Sequence, residues 1–199
     1  QLPSVSIGND IIDLDYPEPS LHPRFVCRMF TQFEQAQMDQ KPKALWLAWA
    51  AKEAAYKALK RLRPTLGFTP QRFEFHNQDR QIIFDGQALP CCIIERPGFI
   101  AVWCATEHET LARSVHQATT CDQAGSVSTR ASPSLLVRKF AASRIAALLE
   151  MKPSAVRFSP PEPLKVPEVQ LTGHERHGQI SFSHHGRFVA FLYLPEPVG

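Results

Sequence analysis

Glu53 and Lys57 stand four residues apart, with Lys52 beside them, in the run from Trp46 to Arg61. Residues four apart lie one above the other on a helix. One carboxylate and two ammonium groups held on a rigid helix could grip a divalent metal and a phosphate together. The same spacing also describes an ordinary exposed Glu-to-Lys pair. A second acid, Asp10, follows Gly8-Asn9, where a bend or bulge re-aims a side chain, although Asn and Asp are also common at plain strand ends. Near the other end, Ser183-His184-His185-Gly186-Arg187 reads as a polar hairpin turn. Its histidines could instead pair with His174 or His177 around zinc, but no Cys or acid stands at zinc spacing nearby. Lys165 lies in a Pro-rich loop, as a surface lysine or an anion contact.

The elements that position these groups follow from local pattern. Residues 46–61 hold Ala, Leu, Lys and Glu without Gly or Pro, which predicts a long helix. Ser4 to Asp15 opens as a strand carrying Asp10. Residues 23–40 have helical spacing, and Thr31 followed by Glu34 has capping-box spacing, which predicts one short helix ending near Phe30 and another starting at Thr31. Residues 72–105 alternate as strands, closing in a hairpin around Arg96-Pro97-Gly98. Residues 114–133 are polar and aperiodic and are read as a linker. A helix over 134–150, a short strand at 156–158 and a closing hairpin over 178–194 complete the chain. The two halves share this layout. The expectation is an α+β protein of two pseudo-symmetric lobes, each a helix packed on a small antiparallel sheet. Their bounds are 1–113 and 134–199. Trp46 and Trp49 are expected in the core between the lobes.

The 199 residues are 44% hydrophobic, enough to bury a core. No apolar run approaches membrane-spanning length, and the first residues lack a basic segment followed by an apolar one. A net charge of +3 is too small to argue for nucleic acid and suits a small anion or an acidic protein partner. The five cysteines form no Cys-x-x-Cys pair, which points to reduced thiols and a cytoplasmic protein.

Three segments then converge: Ile7-Gly-Asn-Asp-Ile-Ile-Asp13, Trp49-Ala-Ala-Lys-Glu-Ala-Ala-Tyr-Lys57 and Ile180-Ser-Phe-Ser-His-His-Gly-Arg-Phe-Val-Ala190. Together they resemble the 4′-phosphopantetheinyl transferase superfamily, whose signatures are Gly-x-Asp, Trp/Phe-x-x-Lys-Glu-x-x-x-Lys and Ser-His-x-Gly-Arg. In the long, two-lobed type of that family the Ser-His lobe comes first. Here it comes second, an order that looks like a circular permutation, which is cheap where termini lie close. The long type usually reads Gly-x-Asp-x-Glu. This chain has Ile12 at the last position and an acid one step later at Asp13, as in the short type. A plain strand would turn Asp13 to the face opposite Asp10.

The resemblance implies a Mg²⁺-dependent transfer of 4′-phosphopantetheine from coenzyme A to a serine of an apo acyl or peptidyl carrier protein, releasing 3′,5′-ADP. Asp10 and Glu53 would hold the metal. Lys57 would stabilise or protonate the departing diphosphate, and Lys52 would hold a phosphate. The base would be Glu53 or a metal-bound water. Ser183 and His184 would bind coenzyme A phosphates from the other lobe, with Lys165 assisting and Arg130 near the 3′-phosphate. The rival reading is a non-catalytic homologue that binds coenzyme A or a carrier protein. A monomer is expected, since a flexible chain of about twenty residues spans roughly 25 Å, enough to let the lobes meet.

Overall fold

The structure is a computed structural model that describes residues 5–16, 22–38, 42–124, 132–159 and 167–196. The first lobe begins with β1 (Ile7–Asp13), continues through α1 (Pro23–Met29), α2 (Gln32–Met38) and α3 (Pro42–Leu62), and ends with β2 (Phe73–His76), β3 (Gln81–Phe84), β4 (Gln87–Arg96) and β5 (Phe99–Ala105). After α4 (His108–Arg113) come β6 (Val115–Thr120), α5 (Pro133–Leu148), β7 (Val156–Phe158), β8 (Glu168–Leu171), β9 (His174–His185) and β10 (Phe188–Pro195). No helix among the described residues is long and apolar enough to cross a membrane.

The expected α+β architecture is observed, with two antiparallel sheets of matching order: β1-β5-β4-β3-β2 and β6-β10-β9-β8-β7. Each lobe runs edge strand, helix, short 3-10 turn, then four strands. The pattern repeats from β6, so the expected linker at 114–133 is corrected. Its first part is the edge strand of the second sheet, paired to β10 from Phe188↔Thr120 to Tyr193↔Val115. Sequence pattern missed β6 because Val115-His-Gln-Ala-Thr-Thr is mostly polar. Its strand is imposed by pairing with the apolar β10, a tertiary override of local preference.

The predicted break between α1 and α2 is present. The backbone N–H of Glu34 donates to the Thr31 hydroxyl at 3.2 Å, and the Glu34 carboxylate accepts from the Thr31 N–H at 2.7 Å. The layers run helix, sheet, sheet, helix. On β5, Ile100, Val102 and Cys104 pack under α3, while Ala101, Trp103 and Ala105 face the second lobe. On β10, Val189, Phe191 and Tyr193 pack under α5, while Phe188, Ala190, Leu192 and Leu194 face the first lobe. Period-two alternation thus builds three cores from two sheets.

Trp103, not Trp46 or Trp49, is the tryptophan between the lobes. It is 1% exposed and its indole N–H donates to the Phe191 carbonyl at 3.2 Å. Trp46 and Trp49 pack within the first lobe, against Phe25 at 6.3 and 5.9 Å between ring centroids.

Candidate functional site

β1 divides its side chains between two neighbours. Gly8, Asp10 and Ile12 face α3, whereas Ile7, Asn9, Ile11 and Asp13 face the second lobe. Gly8 makes the first contact possible. A Cβ there would sit 2.1 Å from the Ala54 carbonyl oxygen and 2.5 Å from the Ala58 nitrogen, so only glycine lets β1 lie this close to α3. That approach brings Asp10 to Lys57, whose ammonium donates to Asp10 Oδ1 at 2.8 Å and to the Asn9 carbonyl at 3.0 Å. Glu53 lies one helical turn before Lys57. Burial, and then the nearby charge of Asp10, push its carboxyl up to about 7, with Lys57 pulling the other way.

Asp10, Glu53 and Lys57 are therefore brought together. Lys57 also lines a cleft of about 320 Å³ between the lobes, whose far wall carries Ser134, Val137 and Arg138 of α5 and Phe182 and His184 of β9. Lys60 and Arg61 extend the basic lining on the α3 side. Arg61 is held by donating to the Pro167 and Ile180 carbonyls, both at 3.0 Å. Burial, reinforced by the Lys57 charge, lowers the His184 imidazole below its usual range. Lys60 and Arg138 were not singled out from sequence. The available signal was Ser134, Val137 and Arg138 at helical spacing, one face of α5.

Two expected phosphate contacts are corrected. Lys52 is fully buried and points away from the cleft. Its three donors are taken by Glu34 Oε2 at 2.6 Å and the Met29 and Pro70 carbonyls at 3.0 Å each. One step along a helix turns a side chain about 100°, so Glu53 stands beside Asp10 while Lys52 enters the core. Ser183 is 5% exposed and turned toward β1, where its hydroxyl accepts from Asn9 Nδ2 at 2.7 Å. The next residue, His184, faces the cleft. Lys165, Arg130 and the side chains of His174 and His177 lie outside the described residues.

Asp13 is no partner of Asp10. It is fully buried in a clasp between lobes, accepting from the Arg187 backbone N–H at 2.9 Å and from its guanidinium at 2.9 and 2.7 Å. Its own N–H donates to His185 Nδ1 at 3.0 Å. The guanidinium bonds hold its carboxyl far below the usual range. Gly186 allows the clasp, since a Cβ there would lie 2.5 Å from Asp13 Oδ2. The strand simply does not bend, and Asp13 emerges on the face opposite Asp10.

A family model for the 4′-phosphopantetheinyl transferase superfamily matches residues 6–121. That is more than half of the chain and includes Asp10, Glu53 and Lys57. The chain belongs to this superfamily. It is thereby a transferase of the phosphopantetheinyl kind. No curated protein matches it.

The second lobe carries a counterpart of the same wall. Counting from Phe99 and Phe188, which open β5 and β10, Asp10 pairs with Val102 and Gln117 with Phe191 at the same step. On the helices, Lys52-Glu-Ala-Ala-Tyr-Lys57 parallels Lys139-Phe-Ala-Ala-Ser-Arg144. Arg144 Nε donates to Gln117 Oε1 at 2.8 Å, as Lys57 does to Asp10. Phe140 stands where the first lobe has Glu53.

Proposed function

We propose that this chain moves 4′-phosphopantetheine from coenzyme A to a serine hydroxyl of an apo carrier protein, with Mg²⁺, releasing 3′,5′-ADP. The observation that carries this reading is the meeting of Asp10, Glu53 and Lys57 where β1 lies against α3, with Lys57 reaching into a basic cleft whose far side holds His184 and Arg138. Two adjacent carboxylates, one with its acidity suppressed by burial and by the other, are a hard-oxygen set short of positive charge, which fits Mg²⁺. Asp10 and Glu53 would hold it. No group of three or more metal-ligating side chains occurs among the described residues, so water and substrate oxygens would complete the shell. When bound, the ion would neutralise the pyrophosphate and orient it for displacement.

The chain's own groups do the rest. Lys57 is fixed by Asp10 and the Asn9 carbonyl, and it donates to the departing 5′-phosphate of 3′,5′-ADP. Lys60, Arg138 and His184 hold coenzyme A phosphates from both sides of the cleft. The acceptor serine attacks the phosphorus next to pantetheine and gives up its hydroxyl proton to water, while the bridging bond breaks and its oxygen leaves with 3′,5′-ADP. A cation beside Glu53 would return its carboxyl toward the ordinary range and weaken it as a base. Of its two possible roles, the adjacent Asp10 favours ligation. The cysteines are free thiols, Cys27, Cys91, Cys92, Cys104 and Cys121, which supports a reducing, cytoplasmic setting.

The test is mass spectrometry of an apo acyl carrier protein incubated with this protein, coenzyme A and Mg²⁺, beside Glu53→Ala. A phosphopantetheine mass gain that the variant lowers by roughly a thousandfold in rate is expected. No gain against acyl and peptidyl carriers, with coenzyme A still raising the melting temperature, would favour the binding-only reading, whose structural motive is buried Ile12 where the long type has its third acid.

A further inference from the structure

Asn9 touches both halves of the site. Its carbonyl accepts from Lys57 at 3.0 Å, while its side-chain amide donates to Ser183 at 2.7 Å, next to His184. Its backbone N–H donates to the Ser181 hydroxyl at 3.2 Å. Asn9 is 0% exposed, and Asn9 Oδ1 is buried with no partner. A buried polar side chain with one acceptor left unmet is costly unless its remaining bonds fix something that matters. What they fix is the span between a cation on α3 and an imidazole on β9. Along β9, the hydroxyls of Ser181 and Ser183 accept from Asn9 on β1, Ser183 does not line the cleft, and Phe182 and His184, with Ser181 between the two faces, do.

We infer that Asn9 is a positioning residue that sets the distance from Lys57 to His184, with Ser183 as its strut and not a phosphate ligand. This rests on the coenzyme A reading above. If Ser183 touched phosphate directly, loss of its hydroxyl and loss of the Asn9 amide would weaken coenzyme A binding independently. If it acts through Asn9, the two losses are one loss.

The experiment is calorimetric titration of coenzyme A with Mg²⁺ into the wild type, Asn9→Ala, Ser183→Ala and the double variant, with melting temperatures alongside. Each single change is expected to weaken binding about tenfold, and the double change no further. Ser6→Ala is the control for stability alone: it removes a buried hydroxyl bond, to the Ala58 carbonyl at 2.8 Å, within the first lobe. It should lower the melting temperature and leave the affinity unmoved. Should Asn9→Ala not fold, Asn9→Leu, which fills the space without the amide, takes its place in the cycle. Multiplying losses, or single variants that melt earlier but bind normally, would overturn the inference and leave the coenzyme A reading standing. A wild type that takes up no coenzyme A would overturn both.

Discussion

The two edge strands and their helices make a natural experiment. β1 with α3 carries Asp10, Glu53 and Lys57; β6 with α5 carries Gln117, Phe140 and Arg144 at the matching places. The strand-to-helix bond is the same length in both, 2.8 Å. That bond therefore does not distinguish them. Side-chain chemistry does, because only the first wall offers two carboxylates to a cation. The backbone adds one further difference: where β1 has Gly8, β6 has Val115, which packs against the core under α5. The first strand is pressed onto its helix, and the second is held off by a side chain.

The sharpest way to break this comparison is to give β1 the residue of β6. Gly8→Val should cost about 5 kcal/mol, because the new side chain meets the backbone of α3, which cannot move aside. Val115→Gly should cost only about 1–2 kcal/mol. Urea denaturation measures both, and a Gly8→Val protein with the wild-type midpoint would refute the close approach.

Next in size is the paired lysine test. Lys52→Met leaves Glu34 buried without its cation and should cost roughly 3–5 kcal/mol, whereas its exposed counterpart Lys139→Met should stay within about 0.5 kcal/mol. Equal midpoints would mean that Lys52 is not the internal anchor described.

The smallest effect concerns Glu53 in metal-free buffer. Its folded carboxyl titrates at about 7, against a reference of 4.5. Between these values the folded chain holds more protons than the unfolded one, so stability falls as pH rises. Glu53→Gln should therefore be more stable than wild type at pH 8 by roughly 1–3 kcal/mol. The gap should close below about pH 4.5. Phe140 has no such charge, so Arg144→Ala, the neighbouring change in the second lobe, should show no pH-dependent gain. A wild-type stability flat from pH 4.5 to 8 would contradict the strain assigned to Glu53.

Local signals in the sequence carried much of this. The capping box at Thr31 and Glu34 and both closing hairpins are short-range patterns whose physics is contained in a few residues, whereas the bend or bulge expected at Gly8-Asn9-Asp10 is absent and β1 runs straight through. That Asp10, Glu53 and Lys57 lie close together was legible through the resemblance; the bond from Lys57 to Asp10 was not. What escaped depended on distant partners. Lys52 reads as a phosphate contact in the sequence, because the counter-charge that buries it, Glu34, is already engaged at its helix cap. β6 looked like a linker because its apolar complement lies on β10. Ser183 looked like a ligand because its motif is read as a unit, while the strand turns alternate members of that motif to opposite sides.

The grip of the second lobe on β1 bears on how a ligand would enter the cleft. The second sheet grips β1 along its whole length: Gln179 donates to the Val5 carbonyl at 2.9 Å, Ser181 and Ser183 hold Asn9, and Arg187 holds Asp13. A strand bolted at both ends and in the middle makes the cleft a slot, not a jaw. On the coenzyme A reading proposed above, passage through such a slot would be paced by the long cations that line it, Lys60 and Arg138, letting go of phosphate.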